Sequence, residues 1–193
     1  MMNDIWQVWN SAIPSELCDA IIAECEKYDP EDATMGLDNA PAKDNNLVRR
    51  SSIVRWVDRN RPSSRFVVDV IKDFSWEANR RAFGFNIDYL RDIQFTEYHG
   101  SQEGEYGWHF DTFWASPSAY DRKLSIVIQL SDPSDYEGGE FQIDPQYQEI
   151  PQELFKQRGS VLVFPSPINH RVTPVTSGLR KSLVSWIEGP KFS

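Results

Sequence analysis

The sequence contains three histidines, and one of them, His109, stands two residues ahead of Asp111 inside the aromatic stretch GWHFDTFW (Gly107–Trp114). On an extended segment, side chains two apart project to the same face, so an imidazole and a carboxylate at this spacing can approach one ion. One such pair is common by chance and needs a partner elsewhere. The last histidine, His170 in PINHRVTPVTSGLRKS, supplies it. Two imidazoles and one carboxylate form a facial set that leaves other coordination positions open, which suits non-haem Fe(II), although a zinc hydrolase uses similar residue types. Arg180, ten residues beyond His170, and Ser182 at the same strand parity separate the two readings. With His170 ending one strand and Arg180 on the next, a guanidinium and a hydroxyl face the metal pocket. The planar, permanently charged guanidinium grips a carboxylate through two bonds, so the pair can hold a dicarboxylate by its far end. His99 has the opposite parity to its neighbour Tyr98 and is left out of the ligand set.

Many short elements must position these residues. Ser15 is expected to cap a helix through about Tyr28, with Leu17, Ile21, Ile22 and Cys25 at helical spacing. Phe66, Val67, Val70, Ile71, Phe74 and Ala78 mark a second amphipathic helix, after which the helices end. Between them Asp29–Asn46 reads as a long polar loop suited to a lid, and Leu47–Val57 as one strand. From Ile87 onward the candidates are DIQFTEYH, YGWHF, KLSIVIQL, GEFQI, GSVLVF, HRVTPV and KSLVSWIE, separated by turn-forming stretches. YEGGEF is expected to be a hairpin turn, because paired glycines tolerate positive φ. Helices followed by short strands predict an α+β chain: a sandwich or jelly roll over about 86–190, backed by helical support over about 1–85, in a single domain spanning 1–193.

Composition narrows the function classes. At 193 residues, with 40% hydrophobic and 25% charged residues, the chain is ordinary for a folded domain with a real core. A net charge of -9 repels a phosphate backbone, so nucleic acid is a disfavoured partner. No apolar run is long enough to span a bilayer, and the opening residues already carry Asn3, Asp4 and Gln7, which predicts a cytoplasmic protein with no membrane partner. Cys18 and Cys25 share one helix face and are expected to be core filler rather than a disulfide.

Taken in order, YHGSQEGEYGWHFD, RKLSIVIQLSD, YEGGEFQI, GSVLVFPS and HRVTPVTSGLRKSLVSW resemble the Fe(II)/2-oxoglutarate dioxygenases, in particular the prolyl 4-hydroxylase-like or PKHD-type hydroxylases, over roughly Ile93–Glu188. The resemblance implies a double-stranded β-helix in which His109, Asp111 and His170 bind iron and form the catalytic centre. It implies that Arg180 pairs with the C5 carboxylate of 2-oxoglutarate and that Tyr98 adds a hydroxyl there, beside the Ser182 hydroxyl expected from its strand parity. Fe(II), 2-oxoglutarate and O₂ are the implied cofactors and cosubstrates, with ascorbate as accessory reductant, and a proline-containing protein or peptide is the implied substrate. A free amino acid or other small metabolite is the alternative substrate, and a non-catalytic jelly-roll binding module the alternative to an enzyme. Trp108, Phe110 and Trp114 either fill the core or line the substrate mouth, Trp186 either packs or shields the pocket, and Arg49 and Arg50 either face solvent or substrate.

Overall fold

The computed structural model describes residues 5–33, 50–112 and 117–191. In chain order they form β1 (Gln7–Trp9), α1 (Ser15–Cys25), β2 (Glu31–Asp32), β3 (Arg50–Ser51), β4 (Ile53–Val57), α2 (Arg65–Ala78), β5 (Tyr89–His99), β6 (Glu105–His109), β7 (Tyr120–Gln129), β8 (Tyr136–Gly138), β9 (Phe141–Ile143), α3 (Gln152–Phe155), β10 (Val161–Pro165), β11 (His170–Val172) and β12 (Val175–Pro190). An antiparallel sheet runs in the order β1-β10-β7-β12-β5-β4-β2, with β8 added to the start of β12. A second sheet runs β3-β6-β11-β9. The outcome is the expected α+β jelly roll.

The alternation of the long strands builds two cores. On β7, Leu124, Ile126 and Ile128 turn toward the helices, where they join Ile21, Val67, Ile71, Phe95, Leu183 and Ile187. Val127 on the opposite parity joins Tyr98, Phe141, Phe164 and Val172 between the sheets. Burying one such aliphatic side chain contributes about 1.5–3 kcal/mol, which is why a five-residue patch on α2 (Val67, Val68, Ile71, Ser75, Ala78) is enough to seat that helix.

Several expectations change. Ser15 is the first residue of α1 and not its cap; Pro14 takes that place, its carbonyl accepting from the amides of Leu17 and Cys18, and the helix stops at Cys25, followed by a turn. Of the stretch read as one strand over Leu47–Val57, 47–49 lies outside the described residues, and the remainder divides at Ser52 into β3 and β4, which belong to different sheets. The first third of the chain is more than helical support, because β1 and β4 extend the large sheet and β3 edges the small one. Helices do not end with α2: α3 covers an edge of the inter-sheet core through Phe155. YEGGEF is not a hairpin. β8 pairs with β12 and β9 with β11, so Gly138 (φ 74°) and Gly139 (φ 59°) carry the chain from one sheet to the other. Within the proposed lid, Glu31 and Asp32 pair with β4 as β2, and 34–46 lies outside the described residues. Both cysteines are buried and free. Among the described residues no helix is long and apolar enough to cross a membrane.

Candidate metal centre and dicarboxylate pocket

β6 and β11 are neighbours in the small sheet, and His109 and His170 are directly paired across them, which brings their rings to 4.2 Å between centroids. His170 opens β11 rather than ending a strand, because the turn at 166–169 precedes it. Asp111 follows the end of β6, and its oxygens lie 3.6 Å from His109 Nε2 and 3.5 Å from His170 Nε2. The three ligand atoms fall within 4.8 Å of one another, all on buried side chains.

The donor chemistry fits a divalent metal. The carbonyl oxygens of Gly107 and Ile168 can only accept, so His109 Nδ1 and His170 Nδ1 carry the protons, donating at 2.8 and 2.9 Å. Both Nε2 lone pairs are then presented to Asp111 and to whatever lies between them. Burial, reinforced by His170, drives the His109 imidazole down to about 3, so it stays neutral and available as a ligand. Burial alone would raise the Asp111 carboxyl, but His170, His109, Arg122 and a bond from Ser125 outweigh it, and the group lies below its ordinary value. The His109 ring stacks on Tyr106 at 3.4 Å and 10°, and the Arg50 guanidinium also lies over the Tyr106 ring, at 4.3 Å.

These residues line a cavity of about 590 Å³ between the sheets. Its long wall is a row set by strand register: Arg180 pairs with Tyr98, Ser182 with Thr96 and Val184 with Gln94 across β12 and β5. Arg180, 1% exposed, sits at the inner end. Its guanidinium lies 5.4 Å above the Tyr98 ring, Nη1 donates to Ser182 Oγ at 3.4 Å, and Nε has no hydrogen-bond partner. A fully buried guanidinium with an unused N–H is costly unless an anion joins it, and the cavity gives that anion room. The outer end is aromatic. Trp186 packs 6.4 Å from Trp56 and beneath Arg122 at 3.8 Å, while Trp56 and Phe110 are 43% and 56% exposed.

The cavity therefore gathers His109, Asp111, His170, Arg180, Tyr98 and Ser182. Phe110, Trp186 and Arg50 also line it. Trp108 does not share that wall: its ring lies beneath Arg171 at 4.8 Å. Trp114 and Arg49 lie outside the described residues. His99 takes no part in the cluster. Sequence reasoning missed Tyr106, Arg122, Ser125 and Tyr136, the last bonded by Gln129 at 2.9 Å beside Arg180. Only Ser125 carried a signal, as the lone hydroxyl inside the apolar run KLSIVIQL.

Comparison with known proteins agrees with this geometry. The model of the 2OG-Fe(II) oxygenase superfamily matches residues 93–188. A PKHD-type hydroxylase from Synechococcus is 40% identical over 87 residues, which is 45% of this chain and 38% of the relative; the chain thus spans well under two thirds of such relatives. A prolyl-4-hydroxylase from Pseudomonas putida superposes with a TM-score of 0.67 at 19% identity, covering 98% of this chain and 94% of that one. A Trichoplax adhaerens prolyl hydroxylase, solved with a hypoxia inducible factor peptide fragment, gives 0.71 at 15% identity, covering 95% and 83%. At these identities the structural likeness concerns the fold.

Proposed function

The chain belongs to the 2OG-Fe(II) oxygenase superfamily, matched over residues 93–188, and on that premise we propose that it is an Fe(II)- and 2-oxoglutarate-dependent hydroxylase acting on peptidyl proline. The observation that carries the proposal is that one cavity holds a His109–Asp111–His170 set at one position and a buried guanidinium with an unused N–H at another. His109 Nε2, His170 Nε2 and an Asp111 oxygen would hold the metal. Bound there, iron supplies the oxidising chemistry that couples decarboxylation of 2-oxoglutarate, to succinate and CO₂, to transfer of one oxygen atom of O₂ into a C–H bond.

The chain's own residues bind and orient. Arg180 and Ser182 would take the C5 carboxylate, with the Tyr98 hydroxyl beside them, so the keto-acid end of the cosubstrate points toward the ligand set. Burial pushes the Tyr98 phenol above its ordinary value, so it stays protonated and can donate to a carboxylate. Trp56, Phe110 and Trp186 surround the outer opening, where a substrate residue must enter and water must be excluded. Support for a peptide comes from the Trichoplax neighbour, whose structure holds one, and support for proline from the prolyl hydroxylases among the neighbours.

The test is a mass-spectrometric search for a +16 Da product in a panel of proline-containing peptides and free amino acids, given Fe(II), 2-oxoglutarate and O₂. A product on peptidyl proline is expected. Product only on free amino acids would replace the substrate, and none on any member with succinate also absent would reject the reaction.

A further inference from the structure

Asp111 is the one ligand that no strand holds. β6 ends at His109, so the two residues that follow leave the ladder of the small sheet. The aspartate is nonetheless fixed at both ends. Its amide donates to the carbonyl of Ser166 at 3.1 Å, and its Oδ2 accepts from Ser125 Oγ at 2.7 Å. Ser125 Oγ in turn lies 2.9 Å from Ser166 Oγ. Both serines are completely buried.

The direction of this chain follows from counting protons. An ionised carboxylate only accepts, so the single Ser125 proton goes to Asp111. Ser166 must then donate to Ser125. The two hydroxyls form one polarised relay, Ser166 to Ser125 to Asp111, closed by the Ser166 carbonyl on the Asp111 amide. Three elements meet in it: the end of β6, the middle of β7, and the turn between β10 and β11. Oδ2 is engaged by the relay and lies 3.5 Å from His170 Nε2, while Oδ1 faces His109 Nε2.

We propose that Ser125 and Ser166 are positioning residues of the metal centre: a two-hydroxyl relay that locks the Asp111 carboxylate in its ligating rotamer, with the Ser166 hydroxyl acting only through Ser125. This rests on the metal-centre reading above and adds a coupling that the ligand set alone does not require. Partners of this kind commonly change metal affinity 10- to 100-fold when removed. Ser125→Ala should therefore weaken Mn(II) binding by about that factor. Ser166→Ala should weaken it less, because Ser125 keeps its own bond to Asp111.

The experiment is calorimetric Mn(II) titration of wild type, Ser125→Ala, Ser166→Ala and the double variant, each checked by circular dichroism and melting temperature without metal. Because Ser166 acts through Ser125, the double variant should match Ser125→Ala alone rather than the product of the two single effects. A general packing role would lower the melting temperature and give multiplied losses; it would not give this non-additive pattern in affinity. Wild-type affinity in a folded Ser125→Ala, or fully multiplicative losses, overturns the relay. If Ser125→Ala does not fold, wild-type affinity in Ser166→Ala overturns it. Absence of Mn(II) binding to wild type would instead reject the metal centre itself.

Discussion

Arg180 concentrates the functional claim in one side chain. It is almost completely buried, its Nε is without a partner, and among the described residues its company in the cavity is Ser182, the face of Tyr98 and the hydroxyl of Tyr136. Removing the guanidinium should cost about 2–5 kcal/mol of 2-oxoglutarate binding, or roughly 30-fold and upward in affinity, because a charge-assisted bidentate contact is lost. Arg180→Met should show that loss by calorimetry with Mn(II) affinity unchanged; equal cosubstrate affinity in variant and wild type would remove Arg180 from the pocket. Cys25 is the opposite case, a reactive group made inert. Burial pushes its thiol from 9.0 up to about 12, with Glu24 and Glu26 adding to the effect. The fold thus holds a proton that the unfolded chain releases, so the contribution is intact below about pH 9 and lost as pH rises toward 12. Native protein at pH 8 should label at Cys25 far more slowly than urea-unfolded protein, and its melting temperature should fall between pH 8 and 10. Equal labelling rates would contradict the burial.

Elements position these residues through register, and that level was only partly legible in the sequence. Alternation in DIQFTEYH, KLSIVIQL and KSLVSWIE identified β5, β7 and β12, because strands with one face on each core announce themselves by period. The parity of Arg180 and Ser182 followed from the same rule. What a local pattern does not carry is the choice of partner. β1 is three residues long and pairs with β10, more than 150 positions away, and Ser52 divides β3 from β4 with no break in β propensity. The glycines of YEGGEF announced a turn but not that it switches sheets, since that depends on which strands lie to either side. Ser166 and Tyr136 lie in turn-rich sequence, where nothing marks an inward-facing side chain. The sheet-switching turn also backs the pocket. A Cβ on Gly139 would stand 2.9 Å from both Arg180 Cδ and Val175 Cγ2, at a φ that side chains rarely adopt. Gly139→Ala should displace the Arg180 stem and weaken 2-oxoglutarate binding while sparing Mn(II) affinity, as calorimetry with each ligand would reveal. Retained cosubstrate affinity would mean that the turn yields instead.

At the scale of the molecule, the metal centre ties the small sheet to the large one. His109 and His170 belong to β6 and β11, while Ser125, behind Asp111, belongs to β7. A ligand that binds only the folded chain stabilises it by mass action, so Mn(II) at 100 times its dissociation constant should add about 2.7 kcal/mol and raise the melting temperature by about 5–10 °C. His170→Ala should abolish the shift; an equal shift in that variant would place the ion elsewhere. The central claim is that one cavity assembles a divalent metal and 2-oxoglutarate together. Its most direct measurement is anaerobic titration of the protein with 2-oxoglutarate, with and without Fe(II), followed by calorimetry and by visible charge-transfer absorption. Saturable binding is expected, much tighter with Fe(II) and accompanied by a visible band that His109→Ala eliminates. No binding to the Fe(II)-loaded protein, or binding indifferent to both iron and Arg180, would contradict it.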